Sequence, residues 1–571
     1  MKKIISLLVV LAFTVSVMTS CGSILQYIPE ELLNALEQYL PDGGNTGNGG
    51  NSGNGENTGN GENSGNGENT GNGGNTGNGG NTGNGENTGN GENTGNGGNT
   101  GNGGNTGNNS NHTTSDDHFD YDNNGYCDDC GTYVIVVLDI YAVNDLHGKF
   151  DDEDGIVGIG GLTTYLKTKM AADDNAILLS SGDMWQGSAH SNLTNGKIIT
   201  EWMNHMNFVS MTMGNHEYDW GRDPIEANAA LAEFPFLGIN IYDTATGQRI
   251  SYCEPSVVVE QGGLRIGVIG AIGNVYSSVA EYMREGFSFK TGSAMTALVR
   301  AEATRLRNEE NVDYVIFSTH NGSSTYPELN GYVDIIFEGH SHSAYVNKDT
   351  YGTYHLQGGG DNKGITHAEV SINYANGNNE VNKAEVVYNS TYKSYRVDPI
   401  VEELVQKYYD QVGWVDKPLG TVSSYQSSSN LKKLVAQLYY EKGKELWGDE
   451  YDIILAGGSI NARSPYNIPA GPVTYTQILP IFPFDNQLSV SKISGKDLKR
   501  VFLNNSSYTY YCPPEKQSRL NNIVDTQYYY VVSDRYSSAY SSNNMIELKI
   551  LNQNLYARDL LADYIKRGGL Q

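Results

Sequence analysis

The sequence predicts a mixed α/β (α+β) fold in two successive domains, carried behind a long extension that has no core. From Tyr133 onward, short apolar runs of strand length alternate with helical stretches such as 160–171 and 294–309. Polar residues of metal-binding type follow those runs closely, which is where an α/β sheet builds its site. Before Tyr133 the composition is of another kind: most of the excess among the 69 glycines sits in residues 43–108.

At the N-terminus Lys2 and Lys3 precede an apolar run from Ile4 to Met18, too short to span a bilayer. It ends in Met18-Thr19-Ser20-Cys21. A small residue before a cysteine, directly after such a run, resembles a bacterial lipoprotein signal: residues 1–20 are removed and Cys21 is lipidated. An ordinary secretory signal is the alternative, and both readings export the chain. Within residues 21–42, Leu32, Leu33, Leu36 and Leu40 share one helical face. Residues 43–115 are dominated by hexapeptides of the type NTGNGG and NTGNGE. A repeat without apolar side chains cannot offset the entropy of ordering, so a flexible tether is expected. Residues 116–132 form a small acidic segment containing Cys127 and Cys130. A disulfide, part of a metal site and an idle linker are all open there, with a structural knot favoured. Asp120, Asp122 and Asn124 alternate as in a calcium loop, but the glutamate that completes an EF-hand is missing.

The formal charge is −28, from 37 basic and 65 acidic residues. A surface this acidic repels polyphosphate backbones, which argues against a nucleic-acid polymer as partner. Five cysteines in 571 residues rule out a disulfide scaffold. Whether Cys253 and Cys512 pair is open.

Five apolar runs lead to the chemistry. VIVVLDIYAV leads to Asp145 and His147, AILLSSG to Asp183, FVSMTMG to Asn215, DYVIFST to His320, and VDIIFEG to His340 and His342. Imidazoles, carboxylates and an amide suit borderline divalent ions such as zinc, manganese or iron better than calcium. Seven such residues exceed the needs of one ion, and two ions about 3.5–4 Å apart are a standard apparatus for cutting phosphate esters.

In this order NDLHG, the Gly182-Asp183 pair, GNHE, His320 after its strand, and GHSH resemble the calcineurin-like metallophosphoesterase superfamily, in its exported 5'-nucleotidase branch. The resemblance implies a β-sandwich flanked by helices over residues 133–395. It implies one ion held by Asp145, His147, Asp183 and His342, and another held by Asp183, Asn215, His320 and His340. It implies in-line attack by a water that the two ions acidify. His216 would stabilise phosphoryl oxygens or assist the leaving oxygen, with Asp219 orienting it; a helix N-cap is the other reading of Asp219. His190 is read as lying behind the site or at the surface, and His205, His355 and His367 as structural.

Residues 396–417 are read as a connecting helix, and 418–571 as a second α/β unit. GGSINAR and PFDNQ in that unit resemble the 5'-nucleotidase C-terminal specificity domain, where a base stacks between aromatic rings and arginines meet phosphate. By position Phe484 is one ring, with a core residue as its other reading, and Asn486 is the base contact; Tyr536 is the candidate for the second ring, and Arg463, two residues past the family's arginine position, is the candidate substrate-binding arginine. Asn461 stands where that family has arginine, and Lys432 and Lys433 replace further arginines. The substrates implied are nucleotides, nucleotide sugars or 2',3'-cyclic nucleotides. The rivals are a diester or sulfur-ester hydrolase on the same site, and a surface binding protein with a relict phosphatase fold. No protein partner is inferred.

Overall fold

The computed structural model describes residues 118–571 except 153–156, 277, 323–324, 461 and 464–465, together with seven two-residue pairs in the repeat. The signal, Cys21, the amphipathic face and Asn461 lie outside the described residues. The chain divides into two compact units, Met1–Asp116 and Asp117–Gln571. In the first, Asn-Ser and Asn-Thr pairs from Asn51–Ser52 to Asn87–Thr88 are bonded in parallel to the pair 18 residues along. The rest of the tract lies outside the described residues.

The second unit begins with a sandwich of two six-stranded sheets. One runs in the order Phe236–Leu237, Ser210–Thr212, Ala176–Ser180, Ile135–Val143, Gly364–Asn373, Asn379–Tyr388. The other runs Ser256–Gln261, Leu264–Ile272, Tyr314–His320, Ile335–Glu338, Tyr354–Gly358, Ala344–Lys348. Period-two alternation assigns the faces. Leu138, Ile140 and Ala142 meet Ile266, Val268, Ile316 and Phe337 between the sheets. Tyr141 and Val143 face the opposite way, into the layer of the Ile159–Met170 and Lys197–His205 helices. On the outside of the second sheet, Val299, Ala303 and Leu306 of Ser293–Glu309 cover Val315, Phe317 and Ile336. Each of the leucine, isoleucine, valine and phenylalanine side chains stabilises the fold by roughly 1.5–3 kcal/mol when fully buried.

The stretch read as one connecting helix is two, Ile400–Lys407 and Tyr409–Val412. They break at Tyr408, which has φ −105° and ψ 20° and donates its hydroxyl to Glu201 Oε1 at 2.7 Å. The C-terminal sheet runs Thr509–Tyr511, Ile453–Gly458, Tyr528–Asp534, Leu488–Ser494, Ile546–Ile550. The Ser428–Trp447 helix covers one face, burying Leu431, Val435 and Tyr439 against Ala456 and Val532. Cys253 and Cys512 are free thiols in different clusters, so they do not pair. Cys127 and Cys130 are free as well. Among the described residues no helix is long and apolar enough to cross a membrane.

Candidate active site

Parallel strands of both sheets end at one place. Asp145 and His147 follow Ile135–Val143, Asp183 follows Ala176–Ser180, and Asn215 follows Ser210–Thr212. From the second sheet, His320 closes Tyr314–His320, and His340 and His342 follow Ile335–Glu338. Ser318 Oγ ties the sheets together beside them, 3.0 Å from Ser181 Oγ and 2.7 Å from Thr212 Oγ1. Asp145, His147, Asp183, His340 and His342 all have φ between 48° and 79°. That left-handed region costs an ordinary residue roughly 1–2 kcal/mol, and it persists where the surroundings over-determine a functional loop.

The side chains fall into two groups. Asp145, His147 and His342 bring their ligand atoms within 4.8 Å of one another, and so do Asp183, His320 and His340. Asn215 Oδ1 lies 2.7 Å from His340 Nδ1 in the second group. These residues could hold two ions, and the electrostatics call for them. The Nε2 atoms of His147 and His342 are 2.9 Å apart. Burial holds both rings below the usual histidine pKa, so each is a neutral nitrogen donor of the kind a divalent ion takes. His147 Nδ1 is 2.9 Å from the Gln186 carbonyl and His320 Nδ1 is 2.7 Å from the Ser181 carbonyl, so each ring turns its other nitrogen inward. Asp145 and Asp183 are buried carboxylates, which need positive charge nearby. Burial works against a charged His320, yet Asp183 and Asp145 lift its pKa to about 10: the site's demand for cations falls on an imidazole. The donors are nitrogen and oxygen, as borderline divalent ions prefer.

His216 lies beside this cluster. Its backbone N–H donates to Asp183 Oδ1 at 2.8 Å, and its Nδ1 is 2.7 Å from Asp219 Oδ2. Burial disfavours the charged ring, but the Asp219 and Asp183 carboxylates outweigh it and raise the pKa. Sequence reasoning gave Glu217 no role, although it stands within GNHE. Its buried carboxylate accepts backbone N–H groups from Asp183, Gly214, Met184 and Trp185 at 2.7–3.3 Å, fixing the Asp183 loop. Burial, with Asp183 nearby, pushes its pKa up to about 7. Gly214 permits this approach, because a Cβ there would collide with Asp183 Oδ1. Glu217→Gln turns one acceptor into a donor facing N–H groups. It is expected to lower stability by about 1–3 kcal/mol and metal affinity about 10–100-fold, read by thermal melting and chelator titration.

The C-terminal domain reaches the same place. Arg463 Nη2 is 3.1 Å from Gln186 Oε1 and 3.4 Å from His216 Nε2. The Phe484 ring is 5.8 Å from the His216 ring, with the Arg463 guanidinium 5.5 Å over it. Phe484 and Asn486 help line a cavity with Phe482, Ile460 and Tyr439. Tyr536, on the Arg535–Ser538 helix, is half-buried and is not among the residues lining that cavity. An aromatic residue nothing in the sequence singled out, Tyr282, donates to Asn486 Oδ1 at 3.3 Å. Buried Arg558 holds the loop below by bonding the Phe484 carbonyl at 3.2 Å and the Asp485 carboxylate. The remaining histidines sit apart. His190 is buried, 2.7 Å from Asp151 and stacked on Phe150. His205 contacts Lys167, while His355 lies 3.4 Å from Glu338 and His367 3.1 Å from Glu385.

Residues 138–344 match the calcineurin-like phosphoesterase family, and residues 411–546 match the 5'-nucleotidase C-terminal domain. An apyrase of Tabanus yao is 25% identical over 406 residues, 64% of this chain and 72% of that protein. Protein UshA of Yersinia enterocolitica is 24% identical over 65% of this chain and 76% of its own length. A Vibrio cholerae 5'-nucleotidase is 31% identical over 199 residues, 34% of each chain. Among solved structures, a 5'-nucleotidase precursor from Thermus thermophilus shares the fold with a TM-score of 0.57 at 18% identity, covering 76% of this chain and 96% of that one. With the two-domain architecture and the cation-demanding cluster, these matches make the chain a calcineurin-like metallophosphoesterase with a 5'-nucleotidase C-terminal domain, a metal-dependent phosphoric ester hydrolase.

Proposed function

We propose that the chain releases phosphate from nucleotides. Asp145, His147, Asp183 and His342 hold one divalent ion; Asp183, Asn215, His320 and His340 hold the other. Such ions supply Lewis acidity to a phosphoryl oxygen and make water acidic enough to attack at neutral pH. His216, oriented by Asp219, stabilises the phosphoryl oxygens, and Arg463 meets the phosphate. Phe484 offers a face to the base, Asn486 its polar contact, and Tyr536 the opposing ring. The observation that carries the nucleotide reading is the approach of Arg463 and Phe484 from the second domain to His216, at 3.4 Å and 5.8 Å. Export, with a lipid anchor at Cys21, is part of the same proposal, supported by the segment from Lys2 to Cys21. Loss of detergent-phase partition on Cys21→Ser tests the anchor.

The test of function strips residues 133–571 of metal and restores manganese, zinc or magnesium. Phosphate release is then followed from AMP, ATP, UDP-glucose, 2',3'-cyclic AMP and an aryl phosphate. Metal-dependent release favouring one nucleotide class is the expected result. Release from the aryl ester alone keeps the metal centre and rejects the nucleotide assignment. Phe484→Ala is expected to raise KM for the preferred nucleotide on the order of tenfold, the worth of one stacked base. The aryl phosphate, which has no base, should be unaffected; equal losses on both substrates would place Phe484 in the fold rather than in the slot.

A further inference from the structure

A second cluster of metal-ligating side chains lies outside this site, where the acidic segment meets the sandwich. His118 Nδ1 is 3.4 Å from Cys130 Sγ, and ligand atoms of His118, Cys127 and Cys130 lie within 4.8 Å of one another. Both thiols are free, and Cys127 is buried. The turn between them is tight: Gly131 N–H donates to the Cys127 carbonyl at 2.7 Å, and Cys127 N–H to the Thr132 carbonyl at 2.8 Å. The segment is docked rather than loose. Asp120 accepts from Asn124 and Gly125 N–H at 3.0 Å and from Asn373 Nδ2 at 2.6 Å, which uses its carboxylate to tie the segment to the end of a core strand.

We propose that His118, Cys127 and Cys130 hold a zinc-class divalent ion that clips the start of the folded unit to the sandwich. The geometry carries it. With Zn–S about 2.3 Å and Zn–N about 2.0 Å in a tetrahedron, sulfur and nitrogen stand about 3.5 Å apart, close to the separation found. Two thiolates neutralise a dication, and their protons are released on binding. The imidazole completes a borderline-soft donor set that zinc prefers and that magnesium and calcium do not. Water fills the fourth vertex. Thiolate sulfur separates this site from the nitrogen and oxygen donors of the catalytic cluster.

That difference supplies the test. The full chain is reduced, stripped of metal and titrated with cobalt(II). Thiolate-to-cobalt charge-transfer absorption is expected in addition to any signal from the catalytic cluster. It should vanish in the Cys127→Ser, Cys130→Ser double variant while metal-dependent phosphate release persists. A second measurement needs no variant: zinc should protect Cys127 and Cys130 of the wild-type chain from alkylation at least tenfold, read by peptide mass spectrometry. Charge-transfer absorption that survives the double substitution, or alkylation that zinc does not slow, overturns the proposal. So does a Cys127–Cys130 disulfide in the chain as isolated from its own cells.

Discussion

Asp183→Asn is expected to lower phosphate release on the order of a thousandfold or more while the fold survives. In the proposed arrangement Asp183 alone is shared by the two ions, and several kcal/mol of transition-state charge stabilisation depend on keeping both in place. Asparagine retains an oxygen for the His216 N–H, which Asp183 Oδ1 now accepts at 2.8 Å. It loses the negative charge that faces His320 Nε2 at 3.0 Å. Metal analysis should show fewer ions per chain, with secondary structure unchanged. Near-normal turnover would sink the two-ion reading.

His216→Ala should separate chemistry from metal binding. Turnover is expected to fall by about 10²–10⁴-fold, the usual worth of a positioned acid–base or electrostatic group. Metal content should be unchanged, because the ring pairs with Asp219 and faces Arg463 instead of joining either ligand group. Asp219→Asn should reproduce part of this loss, about 10–100-fold, by releasing the ring from its orienting carboxylate. A large loss of metal in His216→Ala would make the residue a ligand and redraw the site.

Much of the architecture was legible because strand patterning and side-chain chemistry speak with one voice here. Leu138, Ile140 and Ala142 alternate with Tyr141 and Val143, so the first strand announces two buried faces before its ligands appear. What stayed hidden acts through backbone or through distance. Glu217 works on four backbone N–H groups, and a glutamate that holds N–H groups looks like any other in a sequence. Tyr282 comes to Asn486 from 204 residues away, and with 40 tyrosines in the chain no local pattern marks it out. The break at Tyr408 escaped because 400–412 keeps helical spacing across it. The CxxC pair left several readings open because its third partner, His118, sits nine residues before Cys127, a spacing that no short motif encodes.

The left-handed torsions at five of the seven proposed ligand positions cost stability that bound ions would offset, and this bears on how long the protein lasts. The proposed ions bind side chains that only the folded loops bring together, so they would act as ligands of the native state over the unfolded one. By mass action a thousandfold excess of free ion over its dissociation constant adds about 4 kcal/mol to stability. Resistance to proteolysis should then track the supply of divalent metal around the molecule, and scarcity would remove the enzyme as well as silence it.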